Sequence, residues 1–161
     1  MEIERKFLVK YLPEGLENYP HSEISQAYIS TRPVIRIRQK GDRYILTVKS
    51  QGLLSREEFE MDLSREEYDN LAAKAEGNVI TKTRYKIPEK DNLTIELDIF
   101  HGIFDGLIFA EVEFPDEEAA RAYTPPLFFG RDVTEAGTFQ NSSLSAMDPA
   151  DIDELIRASK Q

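Results

Sequence analysis

Acidic and basic residues recur at every second position in one segment of this chain after another. Glu2, Glu4 and Lys6 begin the series, and Arg36 and Arg38, Thr47 and Lys49, Glu58 and Glu60, Lys82 and Arg84, Glu96 and Asp98, and Glu111 and Glu113 continue it. A spacing of two places each set on one face of a β-strand. Carboxylates gathered that way offer hard oxygen ligands to a divalent cation. Arginine forks grip phosphate oxygens in pairs, and lysines act as mobile point charges. The two sets together suit one kind of ligand, a nucleotide or inorganic triphosphate carried with Mg²⁺ or Mn²⁺.

The elements that must position these residues follow from the same alternation. Strand patterns cover 2–9, 26–31, 34–40, 43–50, 56–63, 79–87, 93–100 and 106–114, eight in all, with Gly41-Asp42 as a tight turn between the third and fourth. The opposite face is apolar, from Ile3, Phe7 and Val9 through Ile35, Ile37, Leu46 and Val48 to Ala110, Val112 and Phe114. Helices are predicted over 64–77, with Ser64 and Glu67 as a capping box and Gly77 as the stop, and over 115–123. A third follows over 148–160, with Asp148 as cap and Ile152, Leu155 and Ile156 on one face. It is expected to lie against the body.

An antiparallel sheet with one solvent-washed ionic face would account for any one of these strands, its cross-strand pairs adding a few tenths of a kcal/mol. Over most of eight strands the ionic density favours a closed barrel with charge inside and apolar faces outside. The expected fold is therefore α+β, an eight-stranded antiparallel β-barrel or tunnel with a charged interior and helices packed outside, as a single domain over 1–161. The net charge of −10 argues against a nucleic-acid backbone binder. No apolar run reaches the roughly 18 residues of a membrane span. The absence of cysteine excludes disulfides and thiolate metal sites and fits a cytoplasmic protein. His21 and His101 stand far apart without matching partners and receive no role.

The ordered set of motifs resembles the CYTH superfamily, also called triphosphate tunnel metalloenzymes, in a short bacterial form. The carriers are Glu2-x-Glu4-x-Lys6, "RIR" at 36–38, "TVK" at 47–49, "REEFE" at 56–60, "KTRY" at 82–85, "IELD" at 95–98, "AEVEF" at 110–114 and the tail "DVT…NSSLS". The resemblance implies a triphosphate substrate and Mg²⁺ or Mn²⁺. It implies Glu2, Glu4, Glu111 and Glu113 as metal ligands, and Lys6, Arg36, Arg38, Lys49, Lys82 and Arg84 as phosphate-binding residues. Glu58, Glu60, Glu96 and Asp98 either hold metal or orient the basic residues. Lys6 is the candidate general base, and Tyr28 resembles a tyrosine placed near that lysine in short bacterial members. The expected activity is hydrolysis of inorganic tripolyphosphate, because so short a chain leaves little for a base- or vitamin-specific pocket. A class IV type adenylate cyclase, a thiamine triphosphatase and a non-catalytic polyphosphate-binding module are the alternatives. Neither nucleic acid nor membrane is an expected partner, and the chain is expected to act as a monomer or homodimer.

Overall fold

Ten strands, every pairing antiparallel, make up most of the computed structural model, which describes residues 1–161. They are β1 (Glu2–Val9), β2 (His21–Thr31), β3 (Val34–Lys40), β4 (Arg43–Lys49), β5 (Ser55–Arg56), β6 (Glu58–Leu63), β7 (Glu76–Glu89), β8 (Leu93–Phe100), β9 (Ile108–Glu113) and β10 (Phe129–Asp132). The order across the sheet is β10-β1-β9-β8-β7-β2-β3-β4-β6. The chain between β4 and α1 closes the ring, since β5 pairs with β1 through Glu2 opposite Arg56 and Ile3 opposite Ser55. One edge of β1 thus belongs wholly to β9, while the other is shared between β5 at its start and β10 at its end.

The count differs from the eight strands predicted. The segment 56–63 breaks at Glu57 because the chain there passes from pairing with β1 to pairing with β4. The added β10 has four residues, three of them polar or glycine, and is too short for alternation to reveal. β2 begins at His21 rather than 26, its polar first turn of strand held by pairing with β7. The tight turn at Gly41-Asp42 is as predicted, with Lys40 opposite Arg43.

There are four α-helices, α1 (Arg65–Ala72), α2 (Glu117–Ala122), α3 (Asn141–Ser145) and α4 (Pro149–Ala158), of which α3 lies across one end of the barrel. The capping box of α1 is formed, with Glu67 N donating to Ser64 Oγ at 3.0 Å and Ser64 N donating to Glu67 Oε1 at 2.7 Å. Gly77 does not stop this helix. It lies inside β7 at φ +80, where a Cβ would collide with the Ser145 carbonyl at the end of α3. Asn78 beside it donates to Leu144 O and Met147 O at 3.0 and 2.8 Å, so this stretch of β7 clamps the C-terminal segment.

Two apolar layers frame the charged interior. One covers the outer faces of β1, β7, β8 and β9 with Phe7, Ile87, Leu97, Val112 and Tyr123. The other closes one end of the barrel: Leu8, Ile80, Phe100 and Phe109 meet Phe139, Leu144, Ile152 and Leu155 from the C-terminal segment. Leu8 pairs with Phe109 one rung beyond Lys6 and Glu111, and Lys82 pairs with Phe100, so the inward-facing register changes from charged to apolar within one step. The charged interior therefore has an apolar floor, which the alternation alone did not reveal.

Gly77→Ala should lower stability by about 3 kcal/mol, combining a strained positive φ with a backbone collision that must push α3 away. Gly41→Ala, at φ +58 with nothing within 4 Å, should cost only about 1 kcal/mol. Urea unfolding of the two variants measures the difference.

Candidate active site

Inward residues of all nine strands from β1 to β9 line one cavity of about 210 Å³, and only Tyr28, Val34 and Ile45 among its lining residues are apolar. Register explains why the charges converge. Glu4 faces Glu113 and Lys6 faces Glu111 across β1 and β9, and Glu111 faces Glu96 across β8. Arg36 faces Thr47, and Lys49 faces Glu58 across β4 and β6.

Most of the cations already have carboxylate partners. Lys49 Nζ donates to both Glu2 oxygens at 2.9 and 3.1 Å and lies 3.5 Å from Glu58. Arg84 binds Asp98 through Nε and Nη2 at 2.7 and 2.8 Å, with Glu96 at 3.4 Å. Lys82 does not line the cavity. It is wholly buried beneath the wall, its ammonium 2.7 Å from Asp98 Oδ2 in an alignment short of a hydrogen bond and 5.3 Å above the Phe100 ring. Burial works against its charge, and with Arg84 and Arg38 nearby its pKa is lowered to about 7 despite Asp98. Asp98 is equally buried, yet Arg84 and Lys82 override the burial penalty and hold it at about 2.

Arg36 and Arg38 are different. Both are more than nine-tenths buried and neither has a carboxylate within ion-pair distance. Arg36 donates through Nη2 to Thr47 Oγ1 at 3.1 Å, and its buried Nε has no partner. Arg38 donates through Nε to Gln26 Oε1 at 2.9 Å. Its charge is disfavoured by burial and by Arg36 and Arg84. A desolvated pair of guanidinium groups without a counter-ion has the chemistry to receive an anion.

The carboxylate side mirrors this. Burial first, then Glu111 and Glu2, raises the Glu4 pKa well above the ordinary carboxylate value. For Glu111 burial acts upward too, but Lys6, Arg84 and Lys82 hold it well below. Arg56 Nη2 lies 3.4 Å from Glu2 and 3.5 Å from Glu4, partly neutralising both. The side chains as they stand do not gather three carboxylates around one point.

Lys6 Nζ donates to Phe139 O at 2.9 Å, lies 3.6 Å from Glu111, and sits 4.7 Å above the Phe109 ring. The Tyr28 hydroxyl accepts from Gln26 Nε2 at 3.3 Å, and no hydrogen bond joins Tyr28 to Lys6. Glu60 lines the wall without an ion pair.

Sequence reasoning missed Lys40 and Arg56, which line the cavity, and Gln26, which is wholly buried behind it against Arg38; each shares parity with a residue of the charged series or with Tyr28 on its own strand. Gln140, Asn141 and Ser142 also line the cavity, and no local pattern in the sequence places them there.

Asp98→Asn should cost about 3 to 5 kcal/mol, because it leaves two buried cations unpaired. Asp98 is held below its ordinary value, so its stabilisation is complete above about pH 4 and is lost as pH falls toward 2. Urea midpoints of the wild type should therefore fall more steeply than those of D98N across that window.

A CYTH domain model matches residues 1–124. Over 152 residues the chain is 40% identical to an inorganic triphosphatase of Nitrosomonas europaea, covering 92% of this chain and 99% of that protein. It is 36% identical to an inorganic triphosphatase of Acetivibrio thermocellus, covering 89% and 92%. A solved crystal structure of an inorganic triphosphatase superposes with a TM-score of 0.69 at 36% identity, covering 92% of this chain and 97% of that one. The family model takes in all of β1 to β9, the strands that line the cavity, and this chain belongs to the CYTH domain family.

Proposed function

We propose that this chain hydrolyses inorganic tripolyphosphate, or a closely related short triphosphate, with Mg²⁺ or Mn²⁺ in the charged barrel. The observation that carries the proposal is the buried, unneutralised pair Arg36 and Arg38, which share one cavity with a cluster of carboxylates. The names and near full-length similarity of the two triphosphatase relatives support it. The scarcity of apolar lining residues favours a bare phosphate chain over a substrate with an adenine or thiamine ring. The cysteine-free composition and the lack of any helix long and apolar enough to cross a membrane are compatible with work in the cytoplasm.

Glu2, Glu4, Glu111 and Glu113 would hold the cation. Their oxygens are the hard donors Mg²⁺ and Mn²⁺ prefer, and the raised Glu4 pKa marks a carboxylate in need of a positive neighbour. When bound, the metal would neutralise polyphosphate charge and polarise a phosphoryl oxygen. Arg36 and Arg38 bind non-bridging oxygens, and Arg84, fixed by Asp98, adds a third oriented fork. Lys49, held by Glu2 and Glu58, serves as a further clamp. Lys82 contributes positive potential from below the wall. Lys6 is the candidate for taking the proton from attacking water. Tyr28 keeps its proton, since burial raises its pKa, and so acts as a donor to phosphate.

The test is incubation of purified chain with tripolyphosphate, ATP or thiamine triphosphate, with Mg²⁺, Mn²⁺ or chelator, followed by assay of phosphate, pyrophosphate and cyclic AMP. Metal-dependent release of one phosphate and one pyrophosphate from tripolyphosphate is the expected result. Cyclic AMP with pyrophosphate from ATP, or no metal-dependent turnover at all, would sink the proposal. Glu111→Gln should lower kcat by about a hundredfold or more while circular dichroism stays unchanged.

A further inference from the structure

We propose that Gln26 is the positioning residue that keeps Arg38 both aimed and uncompensated for triphosphate binding, and that it ties Arg38 and Tyr28 into one unit. The inference rests on the function proposed above. Gln26 is completely buried on the inward face of β2. It pairs directly with Arg38 across β2 and β3, and Tyr28 pairs with Arg36 on the next rung. Its amide spans the rungs: Oε1 accepts from Arg38 Nε at 2.9 Å, and Nε2 donates to the Tyr28 hydroxyl at 3.3 Å. Arg38 Nε can only donate, so the amide has one orientation, which obliges Nε2 to face Tyr28.

Two consequences follow for the anion. With Nε held by Gln26, the terminal nitrogens of Arg38 make no hydrogen bond within the protein and remain available on the cavity wall. Receiving a hydrogen bond from Gln26 leaves the Tyr28 proton free for another acceptor. The neutrality of the amide matters as much as its geometry. Arg84 and Lys49 are oriented by carboxylates that also cancel their charge. Gln26 orients Arg38 and cancels nothing, which keeps full positive charge at the rung where the cavity lacks counter-ions.

Two variants separate this from a merely structural role. Glu at position 26 keeps the acceptor and the volume but supplies a counter-charge, whereas Met keeps the volume and removes both hydrogen bonds. Q26E should raise KM for tripolyphosphate about tenfold or more with kcat within about threefold, while Tm stays equal or rises. Q26M should raise KM and also lower Tm. In an R38A background, Q26E should change KM less than twofold, because the residue acts through Arg38. The inference falls if Q26E binds tripolyphosphate like the wild type, or if its effect adds in full to that of R38A. Calorimetric binding of tripolyphosphate to each variant, with the wild type alongside, keeps the two proposals apart. A wild type that binds but does not hydrolyse overturns the proposed activity alone, and variants that bind equally well overturn the role of Gln26 alone.

Discussion

Two arginines buried without a counter-ion set the terms for the rest of this molecule. Desolvating a guanidinium is costly, and desolvating two neighbouring ones adds their mutual repulsion. Arg36 and Arg38 can stand side by side on β3 because a nearly closed barrel of hydrogen-bonded strands holds their backbone and neutral groups, Thr47 and Gln26, take up part of their donors. The remaining deficit is electrostatic, and the proposed triphosphate would relieve it.

Elsewhere the barrel resolves the same problem internally. Asp98 serves two cations at once, Glu2 serves Lys49 and Arg56, and Glu111 lies beside Lys6. These pairs are scaffolding for charge, since each fixes the direction of a long flexible side chain. The two modes of support, carboxylate and neutral, divide the basic residues into those held ready with their charge offset and those left fully positive.

The apolar floor gives the charged interior its depth. Leu8, Ile80, Phe100 and Phe109 end the charged register, and Phe139, Leu144, Ile152 and Leu155 seal it from the far side. Lys6 and Lys82 rest over aromatic rings at this boundary. The carbonyl of Phe139 also receives the Lys6 ammonium, so the C-terminal segment shapes the site it closes. Gly77 and Asn78 hold that segment close to the barrel, which links a backbone detail on β7 to the geometry of a side chain on β1.

Alternation alone determined which residues share the inner face, because a strand repeats every two residues whatever surrounds it. That is why Glu2, Glu4 and Lys6, the pairs on β3 and β8, and Glu111 and Glu113 are legible in the sequence. Local chemistry likewise determined the caps at Ser64 and Asp148, whose hydrogen bonds reach only three residues along the chain. Tertiary structure decided what depends on partners far apart in sequence. It made Gly77 a close-approach residue inside a strand rather than a helix stop, and split 56–63 where the chain changes neighbours. It added β10, brought residues 140–142 to the cavity, and placed Lys82 under the wall while leaving Arg36 and Arg38 unpaired. Parity tells which way a side chain points, but whether its charge meets a partner is settled only when strands from opposite ends of the chain are brought into register.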